Sequence, residues 1–368
     1  MVCTWLATAA FGLEGIVKRE LESLGFAAKA ELGCVRFEAT PEEAFKANLW
    51  LRTADRVLLL VGEGQAETFD ELFELVKRMH WHEFLPRDAR FPVSGKCARS
   101  QLMSVSDCQA ITKKAIAEEL KKRYHLNWCA ETGATYAVDV SLHGNVARLT
   151  LDASGTALNR RGYRTWNGEA PLRETLAAAM LWLSPWRMKM PLHDPCCGTG
   201  TLLIEAAWRM ANRAPGMTRS FDMEKWAFVD QKLLERYRNE AKAAYHPELI
   251  HDISGTDIDK DALELCRRHI AQAGLEGKIK VWPCDLRELQ LDVPAPCFIA
   301  NPPYGERMSD KKSCEALYRS LHDLKNRHAD SRLCVITSHA GFERAYGGRA
   351  TQKRRLYNGR LECEYLIY

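Results

Sequence analysis

Met190-Pro191-Leu192-His193-Asp194-Pro195-Cys196-Cys197-Gly198-Thr199-Gly200-Thr201-Leu202-Leu203-Ile204-Glu205-Ala206-Ala207 reads as a strand end, a tight glycine turn and an amphipathic helix. Apolar residues lead up to Asp194. Gly198 and Gly200 then bracket a turn in which a side chain would block close approach of the backbone to a ligand, and Thr199 is the expected cap of the helix that follows. A lone Gly-x-Gly turn fits an ordinary strand-to-helix junction equally well, so its surroundings decide its meaning.

Downstream, strands are expected at 253–259, 279–285, 296–301 and 333–339, with helices at 260–273 and 313–328 between them. A hairpin around Asn358-Gly359 follows, and upstream a helix is expected from Glu169 to about Leu183. Five strands with intervening helices imply an α/β fold, a doubly wound parallel sheet, with the hairpin as an antiparallel edge. In such a sheet, ligands bind at the carboxyl ends of the strands, near the point where strand order reverses. Four loops qualify here: Asp194 to Gly200, Asp257 to Asp259, Cys284 to Leu286 and Asn301 to Tyr304. An acid after the second strand is placed to accept both hydroxyls of a ribose, and one after the third can accept an amino group of adenine. A single strand-end Asp is commonly a helix cap; three in one register point to a nucleoside. The interval 213–250 is long for an α/β connection and either carries substrate contacts or covers the sheet.

The N-terminal part has a different rhythm. The opening segment from Trp5, a helix over about 13–24 stopped by Gly25, short strands at 29–32 and 34–38, a helix over 41–51 and a strand at 56–62 form a β-α-β-β-α-β pattern of ferredoxin-like, α+β type. A helix at 68–80, a strand at 90–95, a basic helix at 106–123 and two alternating strands joined at His143-Gly144 come next. Lys113, Lys114, Lys121, Lys122 and Arg123 on that helix, and Arg160-Arg161-Gly162-Tyr163-Arg164 after the hairpin, are either a solvated face and linker or a nucleic-acid surface.

Composition narrows the class further. There is no apolar run long enough to span a bilayer, and the first residues lack a basic leader, so no membrane is expected and the expected location is the cytoplasm. The 13 cysteines are scattered without a Cys-x-x-Cys pair, which argues for reduced thiols and against a metal site. Cys196, Cys197 and Cys284 read as loop-packing residues. A net charge of +4 is too mild to name a partner by itself.

The stretch from about Ala44 to Asn159, with Ser94-Gly95-Lys96, the 106–123 helix and Leu151-Asp152-Ala153-Ser154-Gly155 leading to the arginine cluster, resembles the THUMP domain of RNA-modifying enzymes. The segment before it is similar to the ferredoxin-like module that accompanies THUMP. From about Pro171 onward, Asp194-Pro-Cys-Cys-Gly-Thr-Gly, Gly255-Thr-Asp-Ile-Asp, Cys284-Asp285-Leu286 and Asn301-Pro302-Pro303-Tyr304 resemble the Rossmann-like S-adenosylmethionine-dependent methyltransferases that modify exocyclic amines. Together the two halves resemble the bacterial large-subunit (23S) rRNA guanine-N2 methyltransferases.

The resemblance implies four regions: 1–44 ferredoxin-like, 45–158 THUMP, 159–172 linker and 173–368 methyltransferase. It implies RNA, with rRNA foremost, as the partner and S-adenosyl-L-methionine as the cofactor. Asp194, Cys196, Gly198 and Gly200, with Thr175, would surround the methionine part; Asp257 would hold the ribose, Ile258 would pack on adenine, and Asp285 with Leu286 would read its edge. Lys96, Lys113, Lys121, Arg160, Arg161 and Arg164 are the expected RNA contacts.

The Asn301-Pro302-Pro303-Tyr304 turn would be catalytic, and its chemistry can be stated. An aromatic exocyclic amine is a poor nucleophile because its lone pair is delocalised into the ring. Two acceptors, the Asn301 side-chain carbonyl and the Pro302 backbone carbonyl, can hold its hydrogens and favour a tetrahedral nitrogen. Proline fixes φ and helps present the carbonyls, while Tyr304 can stack on a base taken out of its helix. The same tetrapeptide serves adenine-N6 and protein glutamine-N5 methylation, tRNA guanine is a further substrate, and a non-catalytic RNA-binding or assembly factor could retain the fold.

Overall fold

The computed structural model describes residues 1–164, 172–305, 308–328 and 330–368, and for 308–312 the backbone alone. The expected helix start at Glu169 and the 165–171 part of the expected linker lie outside the described residues. The chain divides into two compact units.

The first unit comprises Met1–Ala9, Val17–Leu158 and Arg219–Asn239. Its elements run β1 (Cys3–Ala9), α1 (Glu14–Ser23), β2 (Ala28–Glu31), β3 (Cys34–Ala39), α2 (Pro41–Trp50), β4 (Ala54–Gln65), α3 (Phe69–Lys77), β5 (Val93–Ala98), α4 (Val105–Tyr124), β6 (Val138–His143) and β7 (Val146–Asp152). All seven strands form one sheet in the order β2-β3-β1-β4-β7-β6-β5. The ferredoxin-like strands and the THUMP strands meet at β4, which pairs antiparallel with β1 on one edge and β7 on the other. Its length, 12 residues, lets one strand serve both halves. Thr40 and Thr68 start α2 and α3 with the same device: each hydroxyl accepts the N–H of a glutamate three residues on, whose carboxylate accepts the threonine N–H in return. The β6–β7 turn is Gly144-Asn145, one residue later than expected, because these two residues take the positive φ that a tight hairpin needs.

Arg219–Asn239 folds with this first unit, although it lies inside the stretch read from sequence as methyltransferase domain. Its aromatic residues explain the detour. Phe221 packs edge-on against Phe45 at 5.7 Å, Trp226 stacks on Tyr136 at 5.6 Å, and the Ala227 N–H donates to the Tyr136 hydroxyl at 2.8 Å. Burying large aromatic faces dominates core energetics, and Phe221 and Trp226 are both buried. Over these residues the 213–250 interval therefore packs with the first unit rather than covering the methyltransferase sheet.

The second unit comprises Ala10–Ile16, Asn159–Thr218 and Glu240–Tyr368. Along the chain come α5 (Glu174–Leu183), β8 (Leu192–Asp194), α6 (Thr201–Met210), α7 (Gln231–Ala243, mostly in the first unit), β9 (Ile253–Asp257), α8 (Lys260–Gln272), β10 (Lys280–Pro283), β11 (Cys297–Ala300), α9 (Met308–Arg327), β12 (Arg332–Thr337), α10 (Phe342–Tyr346), β13 (Gln352–Asn358) and β14 (Leu361–Ile367). The sheet order is β10-β9-β8-β11-β12-β14-β13. The first five strands in that order are parallel, and β14 pairs antiparallel with β12 while β13 closes the edge. A parallel strand covered on both faces needs continuous apolar sequence, which Cys297-Phe298-Ile299-Ala300 supplies; all four are buried. Strand order reverses between β8 and β11, so the loops after Asp194 and Ala300 leave the sheet side by side. Among the described residues no helix is long and apolar enough to cross a membrane.

Candidate active site

The turn after β8 is built from two glycines with different duties. Gly198 has φ +48° and a Cβ placed on it would meet nothing within 4 Å, so its bare Cα faces open space. Gly200 has φ +84° and its Cβ would fall 2.5 Å from the Cys266 Sγ of α8. Gly200 is thus required by helix packing and by its left-handed backbone rather than by room for a ligand. It also occupies the N-cap of α6, correcting the expectation that Thr199 caps this helix. The Thr199 carbonyl instead lies 3.1 Å from His269 Nδ1.

Two carboxylates hold the turn in shape. Asp194 Oδ1 accepts the Cys196 N–H at 3.0 Å, and Asp257 Oδ2, from the end of β9, accepts the Gly198 N–H at 2.8 Å. The other Asp257 oxygen accepts the Asp259 N–H at 3.0 Å. Asp194 is buried, and that burial, with the Asp257 charge nearby, pushes its carboxyl well above the ordinary value. Cys196 is half-buried and Cys197 buried, and both line the space in front of the loop.

That space is a cleft of about 370 Å³ lined by Asp194, Cys196, Gly198, Thr199, Asp259 and Asn301 among others, a size at the lower end for small-molecule sites. It brings together Asp194, Cys196, Gly198 and Asn301 of the sequence-predicted set. Ile258, next to Asp257, is 70% exposed, an aliphatic side chain that the protein itself leaves uncovered. Thr175 is buried in the first turn of α5. Leu286 is buried too, in a cluster with Phe298, Tyr318 and Leu333, so its side chain belongs to the core and its backbone alone can read a ligand edge. Asp285 is held by Arg287, whose N–H and Nε both donate at 2.9 Å, and these bonds pull its carboxyl down to about 2. An adenine amino group would share that carboxylate with Arg287.

The Asn301 loop carries two hydrogen bonds that sequence reasoning did not anticipate. The Tyr304 hydroxyl donates to Asn301 Oδ1, and the Tyr318 hydroxyl of α9 donates to the Pro303 carbonyl at 2.8 Å. Tyr318 thus takes one lone pair of the Pro303 carbonyl and fixes the loop beside the Pro302 carbonyl, the acceptor expected for a substrate amine. No local motif marks Tyr318, because its partner is reached only when α9 packs beside β11. Asp259 and Asp261, which also line the cleft, were signalled by the same acidic loop that contains Asp257.

Two of the arginines expected to face RNA do not. Arg161 and Glu205 form an ion pair at 3.2 Å with both side chains essentially without exposure, and the Tyr163 hydroxyl donates to the same Glu205 oxygen. Arg164 is spent on the Leu172 carbonyl at 3.1 Å, on Thr201 Oγ1 and on Glu174. A buried guanidinium needs a carboxylate, and these two have found theirs. Lys96 and Arg160 are exposed; Lys113 is half-buried and pairs with Glu131 at 2.8 Å, and Lys121 is half-buried.

The reversed strand order, the acid-ended loops and the glycine turn define a Rossmann-like S-adenosylmethionine-dependent methyltransferase domain carried behind ferredoxin-like and THUMP domains. Residues 161–367 match the family described as RMKL-like, methyltransferase domain; 4–58 match the RlmL ferredoxin-like domain and 66–152 the THUMP domain. The chain belongs to this family of RlmL-related RNA methyltransferases. It is 41% identical over 369 residues to "Putative RNA methyltransferase YpsC" of Bacillus subtilis (strain 168), across 99% of this chain and 95% of that one. It is 32% identical over 386 residues to "Ribosomal RNA large subunit methyltransferase K/L" of Syntrophotalea carbinolica, across 99% of this chain but 53% of that longer protein. The crystal structure of SMU.472 complexed with SAH matches with a TM-score of 0.95 and 38% identity, covering 100% of this chain and 98% of that one. The cofactor class fits the cleft: Gly198 leaves its wall bare, and the carboxylates around it can accept from hydroxyl and ammonium groups.

Proposed function

We propose that the chain methylates the exocyclic N2 amine of a guanine in 23S rRNA, acting in the cytoplasm. The observation that carries this reading is Asn301, set at the carboxyl end of β11 in the same cleft as Asp194 and Gly198, with a proline carbonyl next to it. In this reading Asp194, Cys196, Gly198 and Thr175 hold the methionine end, with Gly200 shaping the turn that presents them; Asp257 holds the ribose, and Ile258, Asp285 and the Leu286 backbone hold the adenine. When bound, S-adenosylmethionine supplies an activated methyl group on a sulfonium centre. Asn301 Oδ1 and the Pro302 carbonyl accept the two N–H groups of the target amine, holding its nitrogen pyramidal so that the lone pair leaves conjugation. The Tyr304 ring stacks on the flipped base. These acceptors lower the barrier without a strong general base, because the proton leaves a nitrogen that has become cationic. The regions 1–44 and 45–158, with Lys96, Lys113, Lys121 and Arg160, present the RNA; 159–172 links them to 173–368.

The test is transfer of labelled methyl groups to rRNA from cells lacking the protein, followed by digestion to nucleosides. N2-methylguanosine in large-subunit rRNA is the expected product. N6-methyladenosine, or label confined to tRNA, would redirect the substrate, and no transfer to any RNA would leave a binding or assembly factor.

A further inference from the structure

One tryptophan of the first unit stands at the surface. Trp128 is 73% exposed, whereas Trp5, Trp81, Trp186, Trp208 and Trp226 are all essentially buried. A single exposed apolar residue is unremarkable on a protein surface. The surroundings of Trp128 are what distinguish it. Together with Arg87, Asp88, Leu126, Asn127 and Ala130 it lines an open, shallow cavity of about 470 Å³. It follows the last turn of α4, which carries Lys121, Lys122 and Arg123. Arg87, Lys122 and Arg123 are exposed and have no carboxylate partner among the described residues. Of the nearby acids, Glu131 is taken by Lys113 and Glu119 by His82, which leaves Asp88 as the one carboxylate in the cavity wall.

The loop that carries the ring is tied down on both sides. The Leu126 N–H donates to the Lys121 carbonyl at 2.9 Å, tying the loop to the helix end. On the far side, Glu131 accepts from Lys113 at 2.8 Å and from the Phe91 N–H at 3.3 Å. An exposed indole on a tethered loop, with Arg87 in the same cavity wall and Lys122 and Arg123 on the helix turn that leads into the loop, matches a nucleobase flanked by phosphates: the base supplies a flat apolar partner and the phosphates supply the missing negative charge. Bases inside a duplex offer no face, so the partner has to be unpaired.

We propose that Trp128 is a stacking platform for an unpaired nucleotide of the substrate RNA, with Arg87, Lys122 and Arg123 taking the adjoining phosphates. This rests on the reading of the chain as an RNA methyltransferase and adds to it a requirement for a single-stranded element, read at a place other than the cofactor cleft.

The test uses the full chain and two probes, a short single-stranded RNA oligonucleotide and a fully paired RNA hairpin sealed at both ends by covalent non-nucleotide linkers, so that no base-pair face is exposed. Trp128→Ala is expected to weaken single-strand binding about 5- to 100-fold, the range seen when a stacking aromatic is removed, with hairpin binding unchanged. Trp128→Phe keeps a ring and should retain most of the affinity. Lys122→Gln with Arg123→Gln should lower the salt dependence for both probes, whereas Trp128→Ala should not. Unaltered single-strand binding by Trp128→Ala overturns the proposal and leaves the ring to a protein partner or to none. Equal loss on both probes overturns it as well, since stacking cannot act on the hairpin. Binding of SAH and methyl transfer to rRNA, measured on the same wild-type preparation, keep the two readings apart. A chain that transfers no methyl group yet shows the Trp128 effect refutes the enzyme reading alone, and one that transfers methyl groups without that effect refutes the platform alone.

Discussion

The hydroxyl of Tyr318 donates to the carbonyl of Pro303 at 2.8 Å, tying the middle of α9 to the loop that carries Asn301. Tyr318 is fully buried, with Phe342 packed on its ring at 4.5 Å, and burial pushes its hydroxyl well up, so it remains a donor across the working pH range. Tyr318→Phe keeps the ring and removes the bond, leaving a carbonyl without its partner. Pro303 is exposed, so water can replace the lost donor, and turnover should fall about 3- to 10-fold, in line with roughly 0.5–1.5 kcal/mol for one hydrogen bond. SAH affinity and the unfolding midpoint should move little. A loss of cofactor affinity equal to the loss of turnover would show that Tyr318 supports the whole sheet end and not this loop.

Asn301 Oδ1 has two lone pairs, and Tyr304 occupies one of them. The other remains for a substrate N–H. Asn301→Ala removes the acceptor altogether and should lower turnover by about 10²-fold or more, the usual scale for losing one preorganised transition-state partner. Tyr304→Phe removes the hydroxyl that orients the amide while keeping a ring for stacking, and should cost about 3- to 10-fold. Single-turnover rates with saturating RNA, alongside SAH titrations, separate the two effects. Should Tyr304→Phe prove as damaging as Asn301→Ala, the hydroxyl itself would have to touch the substrate.

Asp194 brings a pH dependence with a definite sign. Its carboxyl is raised by burial, and a cation placed against it favours the ionised form, so binding a ligand that carries an ammonium group expels a proton. Cofactor affinity should therefore rise with pH, by at most about tenfold per unit, while the pH is below the raised value of Asp194, and level off above it. Calorimetry in two buffers of different ionisation heat would register the proton released. Asp194→Asn should bind more weakly and with no such slope; an affinity in the wild type that ignores pH would remove Asp194 from contact with the cation.

How far the site was legible in the sequence follows from the range of each interaction. The strand ends at Asp194, Asp257 and Asn301 and the positive-φ glycines are local features, imposed by a two- or three-residue pattern, and they could be read in the chain. Partners chosen by packing could not. Tyr318 reaches Pro303 across 15 residues, and Arg161 finds Glu205 across 44, with nothing in either neighbourhood to announce the pairing. Arg219–Asn239 looks like an irregular insertion because its aromatics have no periodicity; their partners Phe45 and Tyr136 lie far back in the chain. A run of arginines beside a tyrosine looks the same whether it faces RNA or a buried glutamate, since charge count carries no direction.

Arg161 makes that last ambiguity measurable. Its guanidinium and the Glu205 carboxylate are both removed from water, and taking away either partner strands the other. Arg161→Met should destabilise the protein by about 3–5 kcal/mol, read as a lower urea midpoint, because the Glu205 charge is left uncompensated. Arg161→Met combined with Glu205→Leu should recover most of the loss, since a buried ion pair replaced by apolar side chains of similar volume is often neutral. RNA affinity of the folded variants should match the wild type at equal salt. The opposite pattern, full stability with weakened RNA binding and a shallower salt slope, would return Arg161 to the phosphate-contacting set and require the pair with Glu205 to open when RNA binds.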